Sequence, residues 1–304
     1  MIRTKINYNF DKFIITSDWH LREPNANPVC RTDNFYETQW KKIAFIKKIQ
    51  AENGMCPIIH AGDLFHHWKP SPELLSKTII NLPKNFYTIY GNHDLPQHSL
   101  ELLHKSGIHT LRVAGALMVI STGHFGSEDI GELNNNVGIW HKFVYKKGSE
   151  EEGWAVKNNS TILAENVLQK YPKYDIIITG DNHSAFVVKR QDESGKIHYL
   201  INPGSLTRQT AAQEDFQPRI YLYDKNRKKK LEKIYIPIVK SAVSREHLDE
   251  KQERAEALEV FINQLKQEHE WMKFLDFKQN IEMYMQSNKV NKAVRALVYA
   301  ALEE

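Results

Sequence analysis

Short runs of β-type apolar residues recur along the first two thirds of the chain, and four of them end in small polar clusters. Lys12 to Thr16 leads into Asp18-Trp19-His20, and Pro57 to Ala61 leads into Gly62-Asp63. Phe86 to Tyr90 leads into Gly91-Asn92-His93-Asp94, and Asp175 to Thr179 leads into Gly180-Asp181-Asn182-His183. Apolar runs of this length, bounded by turn-type residues, read as buried strands. Between the first two runs, residues 34–52 read as a helix. Phe35, Ile43, Phe45, Ile46 and Ile49 form its apolar face, with Asp33 as the expected N-cap. Pro70-Ser71-Pro72-Glu73 reads as a second helix start, with Ser71 as cap and Pro72 in the first turn.

From Leu111 the pattern changes. Strands are expected at about 117–121, 137–140, 175–179, 185–190, 198–201 and 219–223, mostly without helices between them. That predicts a second, more antiparallel sheet. Two segments read as loops: 125–136, rich in Gly, Asn and acids, and 145–158, which holds Trp154. Both flank candidate site residues, so they are expected at its rim. After Pro237 the composition shifts to helix formers. Leu258, Phe261, Ile262 and Leu265 are spaced as on one helix face, and so are Val290, Ala293, Val294 and Leu297. These helices either pack on the core or bind a partner. The expected fold class is α/β: a two-layer β-sandwich flanked by helices, residues 1–240, followed by a C-terminal helical segment, residues 241–304.

A chain of 304 residues can bury a large core. Hydrophobic content of 41% and charged content of 26% are those of an ordinary globular protein. The net charge of +4 permits an anionic substrate without demanding one. Two cysteines, Cys30 and Cys56, are too few for a disulfide framework and fit a reducing compartment. No apolar stretch has the length of a signal peptide or a membrane span, so the expectation is a cytoplasmic protein.

Ligands of open α/β sheets sit beyond the carboxyl ends of the strands. Four such ends carrying Asp, His and Asn would converge on one site, and those side chains are the ligand set of divalent metals. The ordered pattern D-x-H, G-D, G-N-H-D, lone His141, G-x-x-H resembles the calcineurin-like metallophosphoesterases over roughly the first 240 residues. Gly62-Asp63-Leu64-Phe65 followed by Pro70, together with Gly91-Asn92-His93-Asp94, looks most like the SbcD-type repair nucleases and their phage relatives. The resemblance implies a two-metal phosphodiesterase that uses a hydroxide shared by metals roughly 3.5–4 Å apart. It assigns Asp63 as the bridging ligand. Asp18, His20 and His183 would complete one metal, and Asn92, His141 and Asp181 the other. His93 would act near the leaving group, with Asp94 orienting its ring. Asn202, Gly204 and Ser205 would line the substrate site. SbcD-type enzymes commonly work with an ATPase partner.

One position departs from the family pattern. Gly180-Asp181-Asn182-His183 stands where the family usually has G-H-x-H. If Asp181 ligates, the first shell is one unit less positive than usual, which favours Mn²⁺ or Mg²⁺ over Zn²⁺. If it does not, the second metal is weaker or exchangeable. Other features stay open. His66 and His67 are either substrate contacts or rim residues without a role, and His124 could line the cleft. Lys228 to Lys230, in a basic run with Arg227, are either a solvated hairpin tip or contacts to a phosphate backbone. The expected substrate is DNA. A small nucleotide or cyclic nucleotide is the alternative, and a non-catalytic adaptor a third reading.

Overall fold

The computed structural model describes residues 10–134, 136–149, 161–246 and 277–302. Strand β1 (Lys12–Thr16) is followed by helix α1 (Phe35–Glu52), β2 (Ile58–His60), α2 (Pro72–Asn81) and β3 (Phe86–Thr88). Two 3-10 turns at 96–98 and 100–105 then lead into α3 (Gly107–Val113) and β4 (Met118–Val119). β5 (Gly131–Asn134), β6 (Val137–His141), β7 (Val144–Tyr145) and β8 (Ile162–Leu163) precede α4 (Ala164–Lys170). β9 (Ile176–Gly180), β10 (Phe186–Gln191), β11 (Ile197–Asn202), β12 (Arg219–Asp224) and β13 (Leu231–Tyr235) follow. Helices α5 (Phe277–Ser287) and α6 (Lys292–Leu302) come last.

The strands form two main sheets. One has the order β13-β12-β1-β2-β3-β4, the other β10-β11-β9-β6-β5. Within the first, β1, β2, β3 and β4 run parallel. Within the second, β6, β9 and β11 run parallel. Alternation explains why the runs read as continuously apolar. In β1, Phe13 and Ile15 face the core between the sheets, with Ile59, Ile139, Ile178 and Ile201. Ile14 faces the opposite way, into the layer with Trp40, Ile43 and Ile46 of α1. A strand buried on both faces has no polar side to display. The outer face of the second sheet packs Ile177 and Leu200 against Val167 and Leu168 of α4.

Several boundaries and assignments differ from expectation. Asn34, not Asp33, caps α1, accepting from the Glu37 amide at 3.0 Å. Asp33 is instead drawn into a two-pronged ion pair with Arg31. Ser71 caps α2 as expected, accepting from the Leu74 amide at 3.1 Å with Pro72 opening the helix. The segment 125–136 is not all loop, because residues 131–134 pair with β6. β4, β12 and β13 belong to the first sheet, and the centre of the second is parallel. Helices α3 and α4 went unseen in the sequence pattern.

Contacts divide the chain into two compact units, Met1–Arg245 and Glu246–Glu304. In the second, Arg295 of α6 donates to the Met285 and Val290 carbonyls, closing the turn between α5 and α6. Val294 and Leu297 are exposed. The expected apolar face at 258–265 and Trp154 lie outside the described residues. Among the described residues, no helix is long and apolar enough to cross a membrane. Cys30 and Cys56 are free and buried.

Candidate metal centre

The loops after β1 and β2 keep pairing beyond the strands. The Asp18 amide donates to the Gly62 carbonyl, His20 to Asp63 and Leu21 to Leu64, and the His66 amide returns to Leu21, at 2.9–3.0 Å. This ladder sets Asp18 and His20 directly beside Asp63. The turns are tight. Asp18, His20, Asp63 and Asp181 have φ of 50°, 45°, 58° and 77°, the left-handed region that costs a non-glycine residue on the order of 1–3 kcal/mol. Surrounding hydrogen bonds hold the backbone there. Gly62 and Gly91 are needed for another reason. A Cβ on Gly62 would strike His141 Nδ1, and one on Gly91 would strike the Asp63 carboxylate and amide.

The side chains converge. Asp63 Oδ2 lies 3.5 Å from His20 Nε2 and 3.6 Å from His141 Nε2. His20 Nε2 faces His183 Nε2 at 3.0 Å, and His141 Nε2 faces Asn92 Oδ1 at 3.0 Å. Asp18 Oδ1 lies 4.0 Å from His20 Nε2. Ligand atoms of Asp18, His20 and His183 fall within 4.8 Å of one another, and so do those of Asp18, Asp63 and His141. The Asp181 amide donates to Asp18 Oδ1 at 3.1 Å. Its carboxylate acts on the charges of Asp18, His141 and His183, although it is in none of the described groups with 4.8 Å spacing.

These residues fit divalent cations. His141 Nδ1 lies 2.7 Å from the Ala61 carbonyl, which can only accept, so Nδ1 carries the proton of the neutral ring. The Nε2 lone pair then points at Asn92 Oδ1, an acceptor facing an acceptor. His141 and Asn92 would be relieved of that repulsion by holding a cation. Burial holds His20 and His141 below the ordinary imidazole range and takes His183 down to about 4, so the rings are neutral ligands. Burial also raises the Asp18 and Asp63 carboxyls, and the charges of neighbouring carboxylates raise them further. A bound dication removes that penalty.

Asp94 does not orient His93. Its buried carboxylate accepts from four backbone amides: Asp63 at 2.9 Å, Gly91 at 3.0 Å, Leu64 at 3.1 Å and Phe65 at 3.2 Å. It is a clamp that shapes the Gly62-Asp63-Leu64-Phe65 turn. Burial, opposed by those amides, takes its pKa up to about 6. The His93 ring is held by the His66 carbonyl, 2.7 Å from Nδ1, which leaves Nε2 available for proton transfer. The His93 amide donates to Asp63 Oδ1 at 2.9 Å.

Asn202, Gly204 and Ser205 lie beside the centre, but their polar groups point into the protein. Asn202 donates to the Asn182 and Ser184 carbonyls, shaping the loop that carries Asp181 and His183. The Gly204 carbonyl accepts from Ser17, and the Ser205 hydroxyl donates to Thr207. Lys228 to Lys230 sit in the β12–β13 turn. Asp224 at the start of that turn pairs with Lys12, the end of β1 remote from Asp18. The basic run is therefore not part of the rim.

Four contributors escaped the sequence reading. Ser17 donates to the Asp18 carboxylate. His98 reaches the Asn92 carbonyl with Nδ1 at 3.1 Å and packs on Phe125, whose ring lies 6.4 Å from that of His141. Arg22 reaches Gln209 on one side and acts electrostatically on His66. Ser17 and Arg22 flank the Asp18-Trp19-His20 cluster, and that adjacency was the signal available for them; nothing local marked His98 or Phe125. His66, left open above, stacks on His93 at 5.2 Å and meets His20 edge-on at 5.7 Å. His124, left open above, donates from Nδ1 to the Phe125 carbonyl at 2.9 Å.

Parallel strands of two packed sheets deliver carboxylates, imidazoles and an amide oxygen to a single buried cluster, the arrangement of a metal-dependent phosphoester hydrolase. Residues 11–185 match the calcineurin-like phosphoesterase family, and the chain belongs to it. No curated protein matches the chain significantly in sequence. Among solved structures it is similar to the metallophosphoesterase of Sphaerobacter thermophilus, with 10% identity and a TM-score of 0.38, over 75% of this chain and 89% of that one. It is also similar to Vacuolar Protein Sorting 29 of Cryptosporidium parvum, with 15% identity and a TM-score of 0.33, over 74% of this chain and 96% of that one.

Proposed function

We propose that the chain is a two-metal phosphodiesterase that cleaves DNA. The observation that carries the metal part is the Asp63 carboxylate, whose Oδ2 stands between the Nε2 atoms of His20 and His141. Asp18, His20 and His183 would hold one cation, and Asn92, His141 and Asp181 the other, with Asp63 common to both. Bound divalent ions would acidify water and neutralise phosphate charge. A set with three carboxylates favours Mn²⁺ or Mg²⁺ over Zn²⁺. The chain's own residues do the rest. The His66 carbonyl fixes His93, so that Nε2 can hold a proton for the leaving oxygen. The Asp94 clamp keeps the Asp63 turn in place.

Flat rings and a cation beside the centre support a nucleic-acid substrate. Phe125 stands beside His141 with His98 packed on it, and Arg22 stands near His66. Aromatic rings stack on any base, and guanidinium groups pair with phosphate. A cyclic or small nucleotide is the second reading, favoured by the remote position of Lys228 to Lys230. The test is purified protein with Mn²⁺ against single- and double-stranded DNA, a cyclic nucleotide and an aryl phosphodiester, at low and physiological salt. DNA should be cut, with a rate that falls steeply with salt. Turnover of the cyclic nucleotide with no DNA cleavage would replace the nuclease reading by the second one.

A further inference from the structure

Thr38, Lys41, Lys42 and Phe45 share one face of α1, spaced as residues three and four apart on a helix. They line a cavity of about 220 Å³, closed by Arg31, Asp33, Arg208 and the segment Ile236 to Val239. Four cations thus face a single carboxylate. That carboxylate is already committed: Asp33 accepts from Arg31 Nε at 2.8 Å, Arg31 Nη2 at 2.7 Å and Thr38 Oγ1 at 2.6 Å. Arg208 is 2% exposed and donates to the Val239, Lys240 and Glu214 carbonyls, which position its charge without neutralising it. Lys42 is 5% exposed. Its ammonium has three donors and, among the described residues, one hydrogen bond, a long one of 3.4 Å to the Pro237 carbonyl. A buried ammonium in that condition is costly unless an anion meets it.

We propose that this cavity binds a phosphorylated organic anion. The phosphate would sit between Lys42, Arg31 and Arg208, and the organic body would lie on Phe45 and Ile236. A dianion suits the site because several positive charges, supplied by three separate segments, converge on a cavity whose described lining holds one carboxylate, Asp33, while Glu214 acts on Arg208 from outside that lining. Charge-assisted hydrogen bonds of this kind are the strong ones. The apolar wall gives the site a preference for an ester over bare phosphate. Burial, then Arg31 and Arg208, bring the Lys42 pKa down to about 7, and a bound dianion would restore its charge. The inference is independent of the metal centre, which shares none of these side chains.

Phenylphosphonate, which no phosphoesterase can hydrolyse at its C–P bond, is the probe. The full chain in EDTA is titrated by calorimetry with phenylphosphonate and with inorganic phosphate. Both should bind, phenylphosphonate several-fold more tightly. Lys42→Met keeps the length of the side chain and removes the buried charge. It should weaken phenylphosphonate on the order of tenfold, the loss of one charge-assisted hydrogen bond. Unchanged affinity in a folded Lys42→Met chain overturns the proposal. A second readout does not depend on that variant: millimolar phenylphosphonate should raise the melting temperature of the unsubstituted chain more than chloride of equal ionic strength. No such rise also overturns it.

Discussion

Asp94→Asn separates two roles for the residue that follows His93. Asparagine keeps the shape of aspartate and replaces one acceptor oxygen by an NH₂ group. The carboxylate accepts from the buried amides of Asp63, Leu64, Phe65 and Gly91, two or more at each oxygen. Whichever way the new amide turns, one or two N–H groups lose their acceptor and face another donor. A buried unsatisfied donor costs about 1–3 kcal/mol, so one or two of them cost about 1–6 kcal/mol here. Relief of the repulsion between Asp94 and the Asp63 carboxylate offsets part of this in metal-free protein. Denaturant unfolding at neutral pH in EDTA measures the result, and a loss of about 2–4 kcal/mol is expected. Metal content should fall too, because Asp63 rides on the turn that Asp94 clamps. Asp94→Ala, which orphans all four amides, should unfold more readily still. If Asp94→Asn keeps full stability and both metals while the rate alone falls, the clamp is refuted and a direct action on His93 takes its place.

Asp63→Asn should remove most activity and lower metal content measured by elemental analysis, since the two proposed metals would share that carboxylate; near-normal turnover with full metal would exclude a bridging role. His93→Ala should keep its metals and lose on the order of 10²–10⁴ in rate, and a lost metal would make His93 a ligand instead. Asp181→His should stay active and shift preference toward Zn²⁺, whereas an active Asp181→Ala with unchanged preference would rule out ligation. For Lys42 the folded pKa, about 7, lies below the ordinary 10.5. The unfolded chain therefore binds more protons between those values, and stability should climb as pH rises from 7 to 10.5. Lys42→Met should flatten that part of the stability–pH curve relative to the unsubstituted chain, and parallel curves would contradict the assignment.

Local chain signals determined where the candidate ligands sit along the chain. An apolar run followed by Asp18-Trp19-His20, Gly62-Asp63 or Gly91-Asn92-His93-Asp94 is a strand end with its turn, whatever surrounds it. Ser71 and Pro72 open a helix by chemistry that spans four residues, so that boundary was readable too. The Asn34 cap was not. Asp33 is an equally good cap until Arg31 claims its carboxylate, and the reason lies in packing around residues 208–243. Sheet membership was decided by tertiary structure alone. Short apolar runs mark 117–121 and 219–223 as strands, but pairing joins segments as much as about two hundred residues apart. Nothing local states that β12 lies beside β1. The work of Asp94 was invisible for the same reason. Its neighbour in sequence is His93, so a side-chain partnership was the natural reading. Besides the Gly91 amide, its partners are the amides of Asp63, Leu64 and Phe65, about thirty residues away, brought to it when β2 and β3 pair in parallel register. The cavity under α1 is the extreme case. Arg31, Lys42 and Arg208 are unremarkable basic residues in the sequence, and only burial makes them a site.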